Sequence, residues 1–282
     1  MKLAFTKMHG CGNNYIYFNC FDQTVPDPES LSIKLSEPHF GIGGDGIILI
    51  SPSDKADAQM RIFNADGSEG KMCGNGIRCV GKYLYDNGMT DGRTTITIDT
   101  LSGVKTLELT VKDGKMQSAR VDMGAAILAP REIPVDMDGE NVISAPIVVD
   151  EKVYHMTCVS MGNPHAVVFV DSTADLPLEQ IGPHFEHHER FPRRTNTEFV
   201  EIVSPEYVKM RVWERGTGET LACGTGCCAT AVACVLNGKT GRKVTVEVLG
   251  GALTIQWDEK TNHIFMTGPA EFVFDGELEY EV

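Results

Sequence analysis

The chain has 282 residues, with 25 Lys and Arg against 39 Asp and Glu, a formal charge of −14. Apolar residues make up 42%, enough for a sizeable core, which excludes an intrinsically disordered chain. The acidic balance excludes nucleic-acid binding by phosphate neutralisation and docking on an anionic membrane surface.

Periodicity predicts strands over residues 2–9, 15–19, 47–50, 58–63, 94–99 and 105–111, with a helix-like stretch at 31–35 and a helix over 76–85. Residues 124–134, rich in small residues and Pro, read as a linker. Strands follow at 153–158, 166–170, 197–203, 207–213, 243–249 and 252–257, with a second helix over 226–236 and a last strand at 268–274. The second helix is apolar on nearly every side, so it must be enclosed. The apolar runs 47–50 and 229–236 fall short of the roughly 18 residues of a membrane span. The first ten residues lack an apolar signal core. Nine Cys without regular spacing point to a reducing cytoplasm rather than a disulfide framework.

The chain repeats itself. Met60-Arg-Ile-Phe and Met210-Arg-Val-Trp are each followed, thirteen residues after the Met, by Cys73-Gly-Asn-Gly76 and Cys223-Gly-Thr-Gly226. The same offset of 150 relates Gly12-Asn13 to Gly162-Asn163, Asn87-Gly88 to Asn237-Gly238, and Thr95-Ile-Thr-Ile98 to Thr245-Val-Glu-Val248. Two long units mean two domains rather than a solenoid. The expected fold is therefore α/β (α+β). It has two pseudo-symmetric halves, each with strands wrapped around a central buried helix. The halves span 1–122, with a C-terminal strand 269–282 returning to it, and 123–268.

A cysteine at a helix N-terminus sits beside unpaired backbone N–H groups and the positive end of the helix dipole. Its thiol pKa is expected to fall, and the flanking glycines let an anion approach the N–H groups. A single Cys-Gly-x-Gly also fits an inert structural turn. Two at equivalent places of a duplicated chain would face each other across an inter-domain cleft. One thiolate and one thiol could then remove and return a proton on opposite faces of one carbon, inverting a stereocentre. The pair would hold one proton and titrate as a unit.

At these residues the chain resembles the diaminopimelate epimerases. The stretches that carry the likeness are Lys7-Met-His-Gly-Cys-Gly-Asn13, Arg61-Ile-Phe-Asn-Ala-Asp-Gly-Ser-Glu69, Cys73-Gly-Asn-Gly76, Met161-Gly-Asn-Pro-His165, Trp213-Glu-Arg-Gly216 and Ala222-Cys-Gly-Thr-Gly226. The resemblance implies a cofactor-independent isomerase, needing neither pyridoxal phosphate nor a metal. It would interconvert LL- and meso-diaminopimelate for lysine and cell-wall synthesis, in the cytoplasm, as a homodimer. It implies Cys73 and Cys223 as the acid/base thiols. Gly74, Asn75, Gly224 and Thr225 would cradle the reacting carboxylate, and Asn13, Asn64, Asn163, Asn196, Glu214 and Arg215 would contact substrate. His165, which the repeat aligns with Tyr15, would adjust the thiols together with Glu214. One departure is Gly46, where the family often carries a substrate-contacting Gln.

Other patterns carry less. Gly41-Ile-Gly-Gly-Asp-Gly46 fits a dinucleotide fingerprint, but a helix-like stretch precedes it and a strand follows, the reverse of what that motif needs. His184, His187 and His188 lie among charged residues and read as a solvated surface turn rather than a metal site. Most of the remaining cysteines read as small core residues. Two other functions fit facing cysteines: epimerisation of proline or hydroxyproline, and a thiol–disulfide redox switch.

Overall fold

A computed structural model describes residues 1–280. Residues 281 and 282, the end of the expected 269–282 segment, lie outside the described residues. The chain divides into two compact units, Met1–Asp122 with the segment from Thr267 onward, and Met123–Met266.

The elements begin β1 (Lys2–Gly10), β2 (Asn13–Asn19), α1 (Pro28–Ser36), β3 (Gly46–Ser51), β4 (Ala58–Asn64), β5 (Glu69–Gly70), α2 (Gly74–Asp86), β6 (Thr95–Thr100), β7 (Gly103–Lys112) and β8 (Lys115–Ala125). They continue β9 (Ala145–Val149), β10 (Lys152–Ser160), β11 (Pro164–Phe169), α3 (Leu178–Glu186), β12 (Asn196–Ser204), β13 (Tyr207–Glu214), β14 (Gly218–Glu219) and α4 (Gly224–Leu236). The last four are β15 (Lys243–Val248), β16 (Gly251–Trp257), β17 (His263–Pro269) and β18 (Glu271–Glu279).

The duplication read in the sequence is a duplication of topology. In the first unit β1–β2, β2–β3, β3–β4, β4–β6 and β6–β7 pair antiparallel, parallel, antiparallel, parallel and antiparallel. In the second, β10, β11, β12, β13, β15 and β16 pair in the same series. Even the register recurs. Ile16 opposite Ile47 and Ile47 opposite Phe63 become Ala166 opposite Thr197 and Thr197 opposite Trp213. The paired Asn-Gly sequences are helix stops: Gly88 and Gly238 take φ of 74° and 63°, the left-handed conformation that closes a helix at its C-terminus.

Each unit wraps its strands around one helix. On α4, Cys227 through Cys234 are all buried, so the helix has no solvent face. On α2, Ile77, Cys79, Val80 and Leu84 are buried together with Arg78 and Lys82. Lys82 lies there because Asp86 sits 2.9 Å away and the Met116 carbonyl accepts at 2.7 Å.

Four sequence expectations need correction. The segment 124–134 is no free linker: Gly124 and Ala125 end β8, Ile127 bridges to Ser160, and Ile133 packs into the second unit's apolar cluster. Small residues and Pro mark irregular backbone there, but its two isoleucines are anchored. The strand expected at 268–274 is two strands, broken at Ala270, and β18 then pairs antiparallel with β1 from Lys2 opposite Glu279. His184 lies not in a turn but on α3, bonded to Asp150 at 2.7 Å. Gly182 and Pro183 mask that helix in the sequence, while Leu178 and Phe185 hold it against the core. Strands β8, β9 and β17 also escaped pattern reading; in β8 (Lys-Met-Gln-Ser-Ala-Arg-Val) the Gln-Ser-Ala stretch interrupts the alternation that marks a strand.

Three core thiols set an alkaline limit on stability. Burial pushes Cys79, Cys158 and Cys234 up from the ordinary 9.0 to about 12. The folded value exceeds the unfolded one, so their contribution is complete below pH 9 and is lost as pH rises toward 12. Each is expected to contribute on the order of a few kcal/mol over the full window. The urea midpoint should therefore fall steeply from pH 9 to 11, and less steeply in a Cys158→Ala variant. An unchanged slope in that variant would remove Cys158 from the account.

Candidate active site

In the first unit Cys73 is the N-cap of α2, and its sulfur accepts from the Gly76 amide at 3.4 Å. Its thiol donates to Asn13 Oδ1 at 3.3 Å, and the Tyr15 hydroxyl also bonds to it. Asn13 is held in turn by Asp45, which accepts from its amide at 2.8 Å and from the Asn14 backbone at 2.7 Å. The amide of Asn64 donates to Ser68 at 3.0 Å. The side chain of Asn75 is committed inward, accepting from Arg78 at 3.0 Å, so this residue presents its backbone.

Gly46 answers the departure noted above. It sits opposite Asn64 with φ of 146°, and a Cβ there would lie 2.0 Å from the Phe63 carbonyl oxygen. On this backbone only glycine fits, so this chain makes no side-chain contact from that position.

In the second unit Cys223 is the N-cap of α4, with Gly226 N–H on its sulfur at 3.4 Å and Thr225 Oγ1 at 3.5 Å. Thr225 accepts from Asn163 Nδ2 at 3.2 Å, and Asn163 Oδ1 lies 3.1 Å from His165 Nε2. Glu214 bonds to Cys223 and accepts from Thr220 at 2.5 Å. Asn196 is buried, its amide donating to the Pro164 carbonyl and accepting from the Arg215 backbone, both at 2.9 Å. The Arg215 guanidinium lies outside, donating to the Arg193 carbonyl at 3.1 Å.

The expectation that the helix ends depress both thiol pKa values is overturned. Burial pushes Cys73 up, against the Gly76 and Asn75 amides, the Tyr15 hydroxyl and the charge of Arg78. Cys223 is 5% exposed and is driven well above the ordinary value, by burial first and then by the charges of Glu214 and Glu198. A few N–H dipoles do not offset the loss of water around a buried sulfur. Burial likewise raises the Glu214 carboxyl. The half-buried Cys73 is the less perturbed of the two.

Sequence reading missed Asp45, Tyr15 as a thiol partner, and Glu198, whose Oε1 is 2.6 Å from His165 Nδ1. The signal for Glu198 was present: the 150-residue offset aligns it with Ile48, so one half puts a carboxyl where the other puts an aliphatic side chain. Among the described residues no group of His, Cys, Asp and Glu is placed to hold a metal ion, and no helix is long and apolar enough to cross a membrane.

The diaminopimelate epimerase family model matches residues 5–129 and 157–273. A diaminopimelate epimerase of Agathobacter rectalis is 58% identical, over 98% of this chain and 99% of the relative. Those of Acetivibrio thermocellus and Methanococcus maripaludis are 57% and 56% identical, over 98% of this chain and 99% and 100% of theirs. Among solved structures, a PhzF-family phenazine biosynthesis protein of Bacillus anthracis is 16% identical with a TM-score of 0.71, covering 99% of this chain and 100% of its own. A hydroxyproline epimerase of Agrobacterium vitis is 15% identical at the same TM-score, covering 98% and 91%. At such identities these two show the fold alone, a two-domain α/β architecture shared by several chemistries. The curated relatives match almost end to end, and on that ground the chain belongs to the diaminopimelate epimerase family.

Proposed function

We propose that this chain interconverts LL- and meso-diaminopimelate by a two-thiol mechanism without a cofactor. The observation that carries the reading is the repeated cap: two cysteines, each the N-cap of its unit's central helix, each with its sulfur on the third helical amide. The thiolate of one cysteine takes the α-proton and becomes a thiol. The electron pair passes into the α-carboxylate, held by the N–H groups of Gly74, Asn75, Gly224 and Thr225. The thiol of the other cysteine then delivers its proton to the opposite face and becomes the thiolate. The reading requires both sulfurs to reach one α-carbon. Asn13 orients Cys73, while Glu214 and His165 set the environment of Cys223.

The distal amino-acid head needs a cation for its carboxylate and a polar pocket for its ammonium, for which we assign Arg215, Asn64, Asn163 and Asn196. We also infer a homodimer working in the cytoplasm. The apolar side chains of Phe272, Val273 and Phe274, exposed by 52, 48 and 43%, are available to such a contact.

Incubation with LL-diaminopimelate in deuterated water tests the substrate. The expected result is meso product carrying solvent deuterium at the inverted carbon, with proline and hydroxyproline exchanging at least about a hundredfold more slowly. Exchange of proline without exchange of diaminopimelate would overturn the assignment.

A further inference from the structure

Glu198 is fully buried, and its Oε2 has no hydrogen-bond partner. A buried carboxyl oxygen left without a partner is costly, because the water it gave up is not replaced. The first unit shows that the fold does not need it. A Cβ on Gly76 would lie 2.7 Å from Ile48 Cδ1, and a Cβ on Gly226 would lie 2.7 Å from Glu198 Oε1. The same place under the capped helix is thus filled by an aliphatic side chain in one unit and by a carboxyl in the other.

What the carboxyl does follows from its bonds. Four contacts run from it to the thiol: Glu198 Oε1 to His165 Nδ1 at 2.6 Å, His165 Nε2 to Asn163 Oδ1 at 3.1 Å, Asn163 Nδ2 to Thr225 Oγ1 at 3.2 Å, and Thr225 Oγ1 to Cys223 Sγ at 3.5 Å. Donor and acceptor counting fixes their direction. The Asn163 carbonyl oxygen only accepts, so His165 Nε2 carries a hydrogen. A single proton then lies between Nδ1 and Oε1, which makes the His165–Glu198 pair neutral as a whole. Thr225 accepts from Asn163, so its hydroxyl hydrogen is free to point at the sulfur. The titratable groups that face this pair from other elements include Cys158 on β10, Glu214 on β13 and Cys223 at the head of α4.

We propose that Glu198 is a positioning residue for Cys223: it locks the His165 ring so that the chain through Asn163 and Thr225 presents a hydroxyl hydrogen to the sulfur as Cys223 becomes a thiolate. The proposal rests on reading Cys223 as an acid/base thiol. An amide in the middle of the chain rules out a proton wire; the chain orients rather than conducts. In the first unit Tyr15 and Ile48 stand where His165 and Glu198 stand here, and the Tyr15 hydroxyl reaches Cys73 directly. The two thiols are therefore supported by different devices, and Glu198 belongs to one of them alone.

The test is Glu198→Ile, which installs the first unit's residue, beside Glu198→Gln, which keeps the size should the first variant fold poorly. Alkylation of each cysteine by iodoacetamide is followed by peptide mass spectrometry against pH. In both variants Cys223 is expected to react about three- to tenfold more slowly at a given pH, Cys73 within twofold of the parent, and kcat to fall about tenfold with KM within twofold. The charge of Glu198 by itself holds the thiol protonated. Shared with His165 as a neutral pair, that effect is muted, and loss of the oriented Thr225 hydroxyl is expected to outweigh it. If the charge dominated, its loss would speed Cys223. A faster or unchanged Cys223, or equal slowing of both cysteines, overturns the proposal. Slowed Cys223 with unchanged kcat leaves the hydrogen-bond chain standing and overturns instead the acid/base reading of Cys223.

Discussion

Cys73→Ala and Cys223→Ala are each expected to lower kcat for epimerisation by about a thousandfold, within the range of roughly 10²–10⁴ contributed by a positioned acid or base. Either variant keeps one thiol and both helical N–H cradles, so substrate binding should persist. The stronger expectation concerns what remains. With one thiol left, a proton leaves and returns on the same face. Each variant should therefore exchange the α-hydrogen of one stereoisomer with solvent while retaining configuration, and the two variants should prefer opposite isomers. Proton NMR in deuterated water reads both quantities. Inversion at a parental rate in either variant, or the same isomer exchanging in both, would defeat the two-thiol mechanism. Because burial raises both thiols, Cys223 the more, Cys223 is expected to remain the thiol while activity rises with pH as Cys73 ionises.

The repeat made much of this visible in advance. Cys73 and Cys223 stood out because one offset relates them, and that offset reappears as strand register at Ile47 and Thr197. Lost to sequence reading was whatever depends on which neighbour fills a space. The thiol pKa direction failed because a cysteine heading a helix is legible as a cap, while the water removed from around it is not. Asp45 was passed over inside a glycine-rich run that resembled a nucleotide loop, although it anchors Asn13. Helix α3 was hidden by Gly182 and Pro183, since its stability comes from packing rather than from propensity. Glu198 lies on a strand whose neighbours Thr197 and Phe199 are also buried, so alternation gave no hint of an inward carboxyl.

Arg78→Met is expected to have the largest effect on stability, about 3–5 kcal/mol, because it strands several buried acceptors at once. The side chain is fully buried within α2. It donates to the Gly74 carbonyl, Asn75 Oδ1 and the Pro269 carbonyl, each at 3.0 Å, and to Cys11 Sγ at 3.8 Å. The guanidinium thus ties the first turn of α2 to the last residue of β17, and a Cβ on Gly10 would already lie 2.8 Å from it. In the other unit the equivalent position is Cys228, also buried, so there the fold places a small side chain at the same point of its central helix. Lys would not substitute, since one ammonium cannot reproduce the fork that serves three separate acceptors. Urea denaturation measures the loss. A second readout separates it from general loosening: the positive charge of Arg78 favours the Cys73 thiolate, so alkylation of Cys73 in folded Arg78→Met should slow at fixed pH while Cys223 keeps its rate. A variant as stable as the parent would show that water replaces the guanidinium among those acceptors. Parallel changes at both cysteines would show that Arg78 acts on the fold as a whole and not on the turn that carries the thiol.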